Sequence, residues 1–157
     1  MVKVDVSQII DHIGSIQPFS VDVTSMEIGE PEPWVQGNIA VSGQITNVGT
    51  VYRLTGNVTV KAAFECSRCL KPLEQTLTFQ FEEDFDAATL GYGKDTIDIA
   101  EPIRTALIFQ EPMQPLCSED CKGLCFACGA NRNLVDCGCD SKKLDPRLAA
   151  LARLLDK

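Results

Sequence analysis

A single histidine, His12, is all the imidazole this chain has. General acid–base catalysis and open catalytic zinc sites both lean on imidazole, and here they have one isolated candidate. His12 lies in an N-terminal stretch that reads as helical, far in sequence from every cysteine, and is expected to be a surface or capping residue. A glycine-rich phosphate loop, a nucleophile elbow and a His-Glu-x-x-His pair are also missing. These absences point away from an enzyme and leave no small-molecule substrate evident. No stretch approaches the roughly 18 apolar residues that a membrane-crossing helix requires. The opening MVKVDVSQIIDHIG has no basic segment followed by an apolar core and a small-residue cleavage site. The expected location is therefore cytoplasmic, where thiols are kept reduced.

Basic charge is scarce as well. Fourteen Lys and Arg face 22 Asp and Glu, for a formal net charge of −8. Such a chain does not coat nucleic acid indiscriminately, because the phosphate backbone repels it overall. The imbalance is local, however. Residues 1–116 carry seven basic against sixteen acidic side chains, whereas residues 117–157 carry seven against six.

What the chain has in excess is cysteine. Six of its eight cysteines fall within 23 positions, CSEDCKGLCFACGANRNLVDCGC (117–139), and the other two in CSRC (66–69). In a reducing compartment such a set points to metal or redox chemistry rather than a disulfide scaffold. A thiol–disulfide catalyst would place one Cys-x-x-Cys at a helix N-terminus, leaving six thiols without a role. Cys121-x3-Cys125-x2-Cys128 has the ligand spacing of the four-iron cluster in radical enzymes that use S-adenosylmethionine. Those enzymes build a large barrel after the motif, and 29 residues follow here, so the match reads as coincidence. Zinc accounts for all eight, since it favours four tetrahedral thiolates, and a two-residue spacing lets one tight turn offer two sulfurs. Cys125, Cys128, Cys137 and Cys139 form a local set, Cys-x2-Cys-x8-Cys-x-Cys, with Gly129 easing the turn after its first pair. Cys66 and Cys69 then take Cys117 and Cys121, although neighbouring pairs could exchange partners. Two Zn²⁺ ions per chain are expected, in structural rather than catalytic sites.

Periodicity supplies the fold. From Tyr52 to Cys66 the even positions are mostly apolar and the odd ones mostly polar, and from Leu73 to Phe85 the odd positions carry Leu73, Leu77, Phe79, Phe81 and Phe85. A period of two marks strands with one buried face. Ile39, Val41 and Ile45 alternate likewise, and NVGT (47–50) has the Asn and Gly of a hairpin turn. Residues 34–85 read as a three-stranded meander, to which 2–6 and 19–28 add edge strands. Asp98 is placed to cap a helix with Pro102 in its first turn and Ile99, Ile103, Leu107 and Ile108 on one face, ended by EPMQP. Asp145 and Pro146 open a C-terminal helix with a stripe of Leu148, Leu151, Leu154 and Leu155. The expected fold class is α+β: an antiparallel β meander or barrel-like sheet with a few helices and a C-terminal cysteine-rich zinc-knuckle region. Residues 1–116 would form the β-rich body with one helix. Residues 117–157 would form the zinc-binding segment and C-terminal helix, docked on the body as one compact unit.

The succession CSRCLKP, PMQPLCSEDCKGLCFACGANRN, CGC and DPRLAAL resembles the bacterial and plastid YceD-type family, named for accumulation of the large-subunit ribosomal RNA. The similarity spans about residues 34 to 155, and all eight cysteines fall on the family's cysteine positions. Phe126 stands where proline is expected, and Arg132 where leucine is expected in Asn-Leu-Asn. The resemblance implies a role in producing or stabilising 23S ribosomal RNA, hence in large-subunit assembly, without an established enzymatic activity. Arg68, Lys71, Lys122, Arg132, Lys142 and Lys143 are the candidate contacts to RNA or a partner. Gathered by zinc, they would make a basic end for ribosomal RNA phosphate on an acidic body. Two other readings are a module that escorts a basic large-subunit ribosomal protein without touching RNA, and a thiol-based redox or metal sensor.

Overall fold

A computed structural model describes residues 1–29, 32–90 and 95–139. The C-terminal helix expected from Asp145 onward, with Lys142 and Lys143, lies outside the described residues. The chain divides into two units: Met1–Glu65 with Pro72–Pro115, and Cys66–Lys71 with the chain from Leu116 onward.

The first unit is built on four antiparallel strands in the order β2-β3-β4-β5. These are β2 (Ile16–Thr24), β3 (Val35–Asn47), β4 (Val51–Glu65) and β5 (Pro72–Asp86). In β4 the alternation holds over most of its length: Tyr52, Leu54, Val58, Val60 and Ala62 are buried while Arg53, Asn57 and Lys61 are exposed. Register stacks like on like, with Val41 opposite Val58 and Val58 opposite Phe79. One row is different. Phe19, Gly43, Gly56 and Phe81 lie abreast across all four strands. A Cβ on Gly56 would come within 2.7 Å of the Phe81 ring, whereas one on Gly43 would first strike the backbone of β4, 2.2 Å from the Thr55 carbonyl oxygen, with the Phe19 ring at 3.1 Å. Gly56 thus makes room for the ring that covers it and Gly43 for the close approach of the β4 backbone, which explains a glycine on the buried side of β4.

The sheet stays open, so the barrel-like expectation is corrected. β2 and β5 are its edges, and closure needs more strands at a steeper tilt than four supply. The core face is instead covered by other elements, as a layered domain requires. β1 (Lys3–Asp5) does not join the meander; it pairs antiparallel with β6 (Thr96–Asp98) in a two-stranded sheet. A short turn, α1 (Ala87–Leu90), and the helix α2 (Ala100–Gln110) complete the described elements, together with a 3₁₀ turn at Ser25–Glu27. The N-cap of α2 is Ile99, with no side-chain capping bond, rather than the expected Asp98. Asp98 lies one residue earlier, where its Oδ1 accepts from the Ala100 N–H at 3.1 Å and from the Val2 N–H at 2.9 Å and so ties β1 to the start of the helix. Ile99, Ile103 and Leu107 are fully buried with Val4, Val6 and Ile9 in a single core. Ile108 is exposed; the stripe runs through i, i+4 and i+8, and the next position points about 100° away.

Residues 7–14 form successive turns rather than the expected helix, with i+3 to i bonds from Ile9 to Val6 and from Ser15 to His12. Asn47 holds them. It is 3% exposed, its Nδ2 donates to the carbonyls of Ile9 (2.7 Å) and Ile10 (3.0 Å), and its Oδ1 accepts from the Gly49 N–H (2.8 Å). Replacing Asn47 with alanine strands these buried groups and is expected to cost about 2–3 kcal/mol. Asn47→Asp should cost at least as much, since a carboxylate would face two carbonyls. Urea titration of the three proteins checks both; a midpoint unchanged in Asn47→Ala refutes the assignment.

Candidate metal centres

The two Cys-x-x-Cys segments fold as the same turn. In the first, the Cys66 N–H donates to the Lys71 carbonyl (2.9 Å) and the Leu70 N–H to the Cys66 carbonyl (2.9 Å). In the second, the Cys125 N–H donates to Ala130 (2.8 Å) and the Gly129 N–H to Cys125 (2.7 Å). Each turn reverses the chain so that both sulfurs face one point, and each needs a left-handed residue straight after its second cysteine. That residue is Gly129 (φ +74°) in one turn and Leu70 (φ +59°) in the other. Glycine adopts this conformation freely, whereas leucine carries a cost of roughly 1–2 kcal/mol.

Each turn meets a second pair of thiols. Cys66, Cys69, Cys117 and Cys121 form one tetrad and Cys125, Cys128, Cys137 and Cys139 the other, with all sulfurs of a tetrad within 4.8 Å of one another. The Cys66 and Cys121 sulfurs are 3.8 Å apart, and those of Cys69 and Cys117 3.6 Å. A disulfide needs about 2 Å. Four sulfurs each about 2.3 Å from one ion sit about 3.8 Å apart in a regular tetrahedron. All eight thiols are free, and the donor set and spacing fit a tetrahedral metal ion in each tetrad. The first tetrad is the more enclosed: Cys66, Cys69 and Cys121 are buried, whereas Cys128 is exposed and Cys137 and Cys139 half-buried.

Electrostatics divide each tetrad. Burial pushes the Cys66 thiol up, but the backbone N–H groups of Cys117, Arg68 and Cys69 outweigh it and bring it down to about 6. Cys121 is likewise lowered against burial, by the Asn133 amide and the Gly123 N–H. Cys117 is pushed up to about 12 because Cys121 and Cys69 already claim the shared hydrogen bonds. In the second tetrad, the N–H groups of Cys128 and Ala127 lower Cys125 to about 6, while Cys128 and Cys137 push Cys139 up to about 12. Backbone dipoles stabilise the first thiolates, and mutual repulsion holds the last protons until a cation displaces them.

All four described basic candidates belong to the second unit: Arg68, Lys71, Lys122 and Arg132, each exposed. Arg68 is also a fastener. Its Nη1 donates to the carbonyls of Cys121 (2.9 Å) and Glu119 (3.4 Å), tying the first turn to the segment that brings the second pair.

The family model described as large ribosomal RNA subunit accumulation protein YceD matches residues 54–155. The chain belongs to the YceD family. The YceD match begins within β4 and takes in all eight cysteines, whereas β1, β2 and β3 lie ahead of it. An uncharacterized protein of Mycobacterium tuberculosis is 32% identical, over 71% of this chain and 59% of its own length. A maize protein named large ribosomal RNA subunit accumulation protein YCED homolog 1, chloroplastic, is 25% identical over 68% of this chain and 50% of its own. The Arabidopsis thaliana protein of the same name is 33% identical over 39% of this chain and 19% of its own. The chain thus spans about three-fifths of the length of the mycobacterial relative, 59%. No solved structure matches it. Among the described residues no helix is long and apolar enough to cross a membrane.

Three residues that shape the YceD tetrads escaped the reading of the sequence. Leu70 could have been found by aligning CSRCL with CFACG, where it takes the place of Gly129. Gly123 and Asn133 have no such signal, because their partners, Arg68 and Cys121, are set by tertiary structure.

Proposed function

We propose that this YceD-family chain is a non-enzymatic zinc-binding factor for accumulation of 23S ribosomal RNA, and hence for assembly of the large ribosomal subunit. The observation that carries the reading is the pair of all-cysteine tetrads within a family described by accumulation of the large ribosomal RNA subunit. Zinc bound there supplies a redox-inert cation with a closed set of four thiolates, which builds shape and leaves no position for a reacting water. The exposed side chains of Lys71, Lys122 and Arg132 supply cations for RNA phosphate. Phe126, 70% exposed in the turn between Cys125 and Cys128, supplies a ring on which an unpaired base can stack. Arg68 is set apart from this group, because its guanidinium is engaged with two carbonyls.

The outward side of β5 favours a second reading. Glu74, Glu82 and Asp84 are exposed along it, with only Arg53 in ion-pair reach of Glu82 and Asp84 among the described residues. A basic large-subunit ribosomal protein would complement that face without any RNA contact.

Protein purified without added metal should carry two zinc ions per chain by elemental analysis and enrich large-subunit RNA. Charge reversal at Lys71, Lys122 and Arg132 should weaken binding to large-subunit RNA fragments and lower the salt slope by about one per residue. An unchanged affinity and slope, with a basic protein still retained after nuclease digestion, would decide for the second reading.

A further inference from the structure

We propose that Asn133 couples the two tetrads, so that loading one with metal favours loading the other; the inference rests on the metal-binding reading above. Asn133 lies in the loop whose ends are Cys128 and Cys137, both members of the second tetrad. Its side chain reaches the first. Oδ1 accepts from the Lys122 N–H at 2.8 Å, and a backbone N–H can only donate, so the amide has one orientation. Nδ2 therefore faces the Cys121 sulfur at 3.3 Å, and its other hydrogen is given to Asn131 Oδ1 at 2.8 Å.

The loop is pinned where this contact requires it. The Arg132 N–H donates to the Gly123 carbonyl (2.9 Å), Leu124 bridges to Asn131, and Asn131 Oδ1 also accepts from the Asn133 N–H (3.0 Å). Closing residues 128–137 on an ion in the second tetrad thus holds an N–H donor against a ligand of the first. An ion at Cys66, Cys69, Cys117 and Cys121 would fix the Cys121 sulfur at the place where Asn133 Nδ2 meets it, and this in turn favours the closed loop. Coupling between binding sites is reciprocal, so the effect runs both ways. Asn133 is a positioning residue: it orients and polarises a ligand that another group would bind.

The test is Co²⁺ loading of the full chain, followed by native mass spectrometry and by the near-ultraviolet sulfur-to-cobalt absorption. In the wild type at half the saturating metal, chains with no ion and with two ions should outnumber those with one. Asn133→Asp keeps the bond from Lys122 but turns an oxygen towards the thiolate, and should weaken the first tetrad about 10- to 100-fold. It should also populate the one-ion species. Asn133→Ala should move the charge-transfer band of the first tetrad to lower energy, because a sulfur without its N–H donor is easier to oxidise; loss of packing alone would not. A statistical spread of ions in the wild type, or both variants with wild-type affinity and an unmoved band, would overturn the coupling and leave the metal reading intact. A wild type that takes up no cobalt or zinc would overturn both.

Discussion

On the metal-binding reading, a strong chelator is expected to unfold the second unit and spare the first. The reason lies in what each unit buries. Among the described residues the hydrophobic core draws on side chains from Val2 to Leu107, and none comes from 66–71 or 116–139. In those two stretches the buried side chains are cysteines, Cys66, Cys69, Cys121 and Cys125, while Leu70, Phe126, Leu134 and Val135 are exposed. On the metal-binding reading, the described part of the second unit, without apolar core residues, draws its stability from thiolate–metal bonds, which contribute on the order of 10 kcal/mol per structural ion. Trp34, the chain's only tryptophan, is 4% exposed and stacked on Phe64 in the first unit, so its emission should not change. Protection of the Cys121, Leu124, Cys125 and Arg132 amides against hydrogen exchange should vanish. Retained protection in a metal-free chain would refute the dependence. Acid acts in the same direction. Cys117 and Cys139 are held up at about 12, so at neutral pH their protons must leave when metal enters. Affinity therefore falls as pH falls, and more steeply below about 6, where Cys66 and Cys125 also take protons.

Gly123→Ala is expected to damage the first tetrad more than any other single change outside the cysteines. Gly123 sits at φ +71°, and a Cβ there would lie 2.9 Å from the Arg68 carbonyl oxygen and 3.3 Å from the Arg68 Cβ. The same carbonyl accepts from the Leu124 N–H at 3.1 Å, so this is the point where the turn carrying Cys66 and Cys69 touches the segment carrying Cys121. The left-handed conformation costs an alanine about 1–2 kcal/mol. Pushing Arg68 away sacrifices a backbone bond worth about 1 kcal/mol more. Together these amount to about 3 kcal/mol, or roughly a hundredfold in metal affinity. Gly129→Ala is the control. It has φ +74° but nothing within 4 Å of a Cβ, so it should show the conformational cost alone. Competition with a chromophoric chelator measures both, and equal losses in the two variants would show that contact with Arg68 carries no weight.

Local rules made part of this protein readable from its residues. The alternation in β4 and β5 follows from side chains pointing to opposite sides of a strand, and it names Leu54, Val58 and Phe79 as core without any tertiary information. The Cys-x-x-Cys turns are equally local, since their hydrogen bonds span no more than five residues. Which distant segment completes each element is another matter. β1 pairs with β6 rather than with the meander, and two opposed edges leave the sheet open, because strand pairing between remote segments is set by what else covers the core. Cys66 meets Cys121 across 55 positions, Arg68 spends its guanidinium on backbone carbonyls, and Asn133 reaches a sulfur outside its own loop. A pattern of residues states which face of an element is apolar and which side chains can bind; it does not state distances between elements far apart in the chain. Those distances arise only once the chain has folded, and here they decide which thiols share a site and which polar groups hold it.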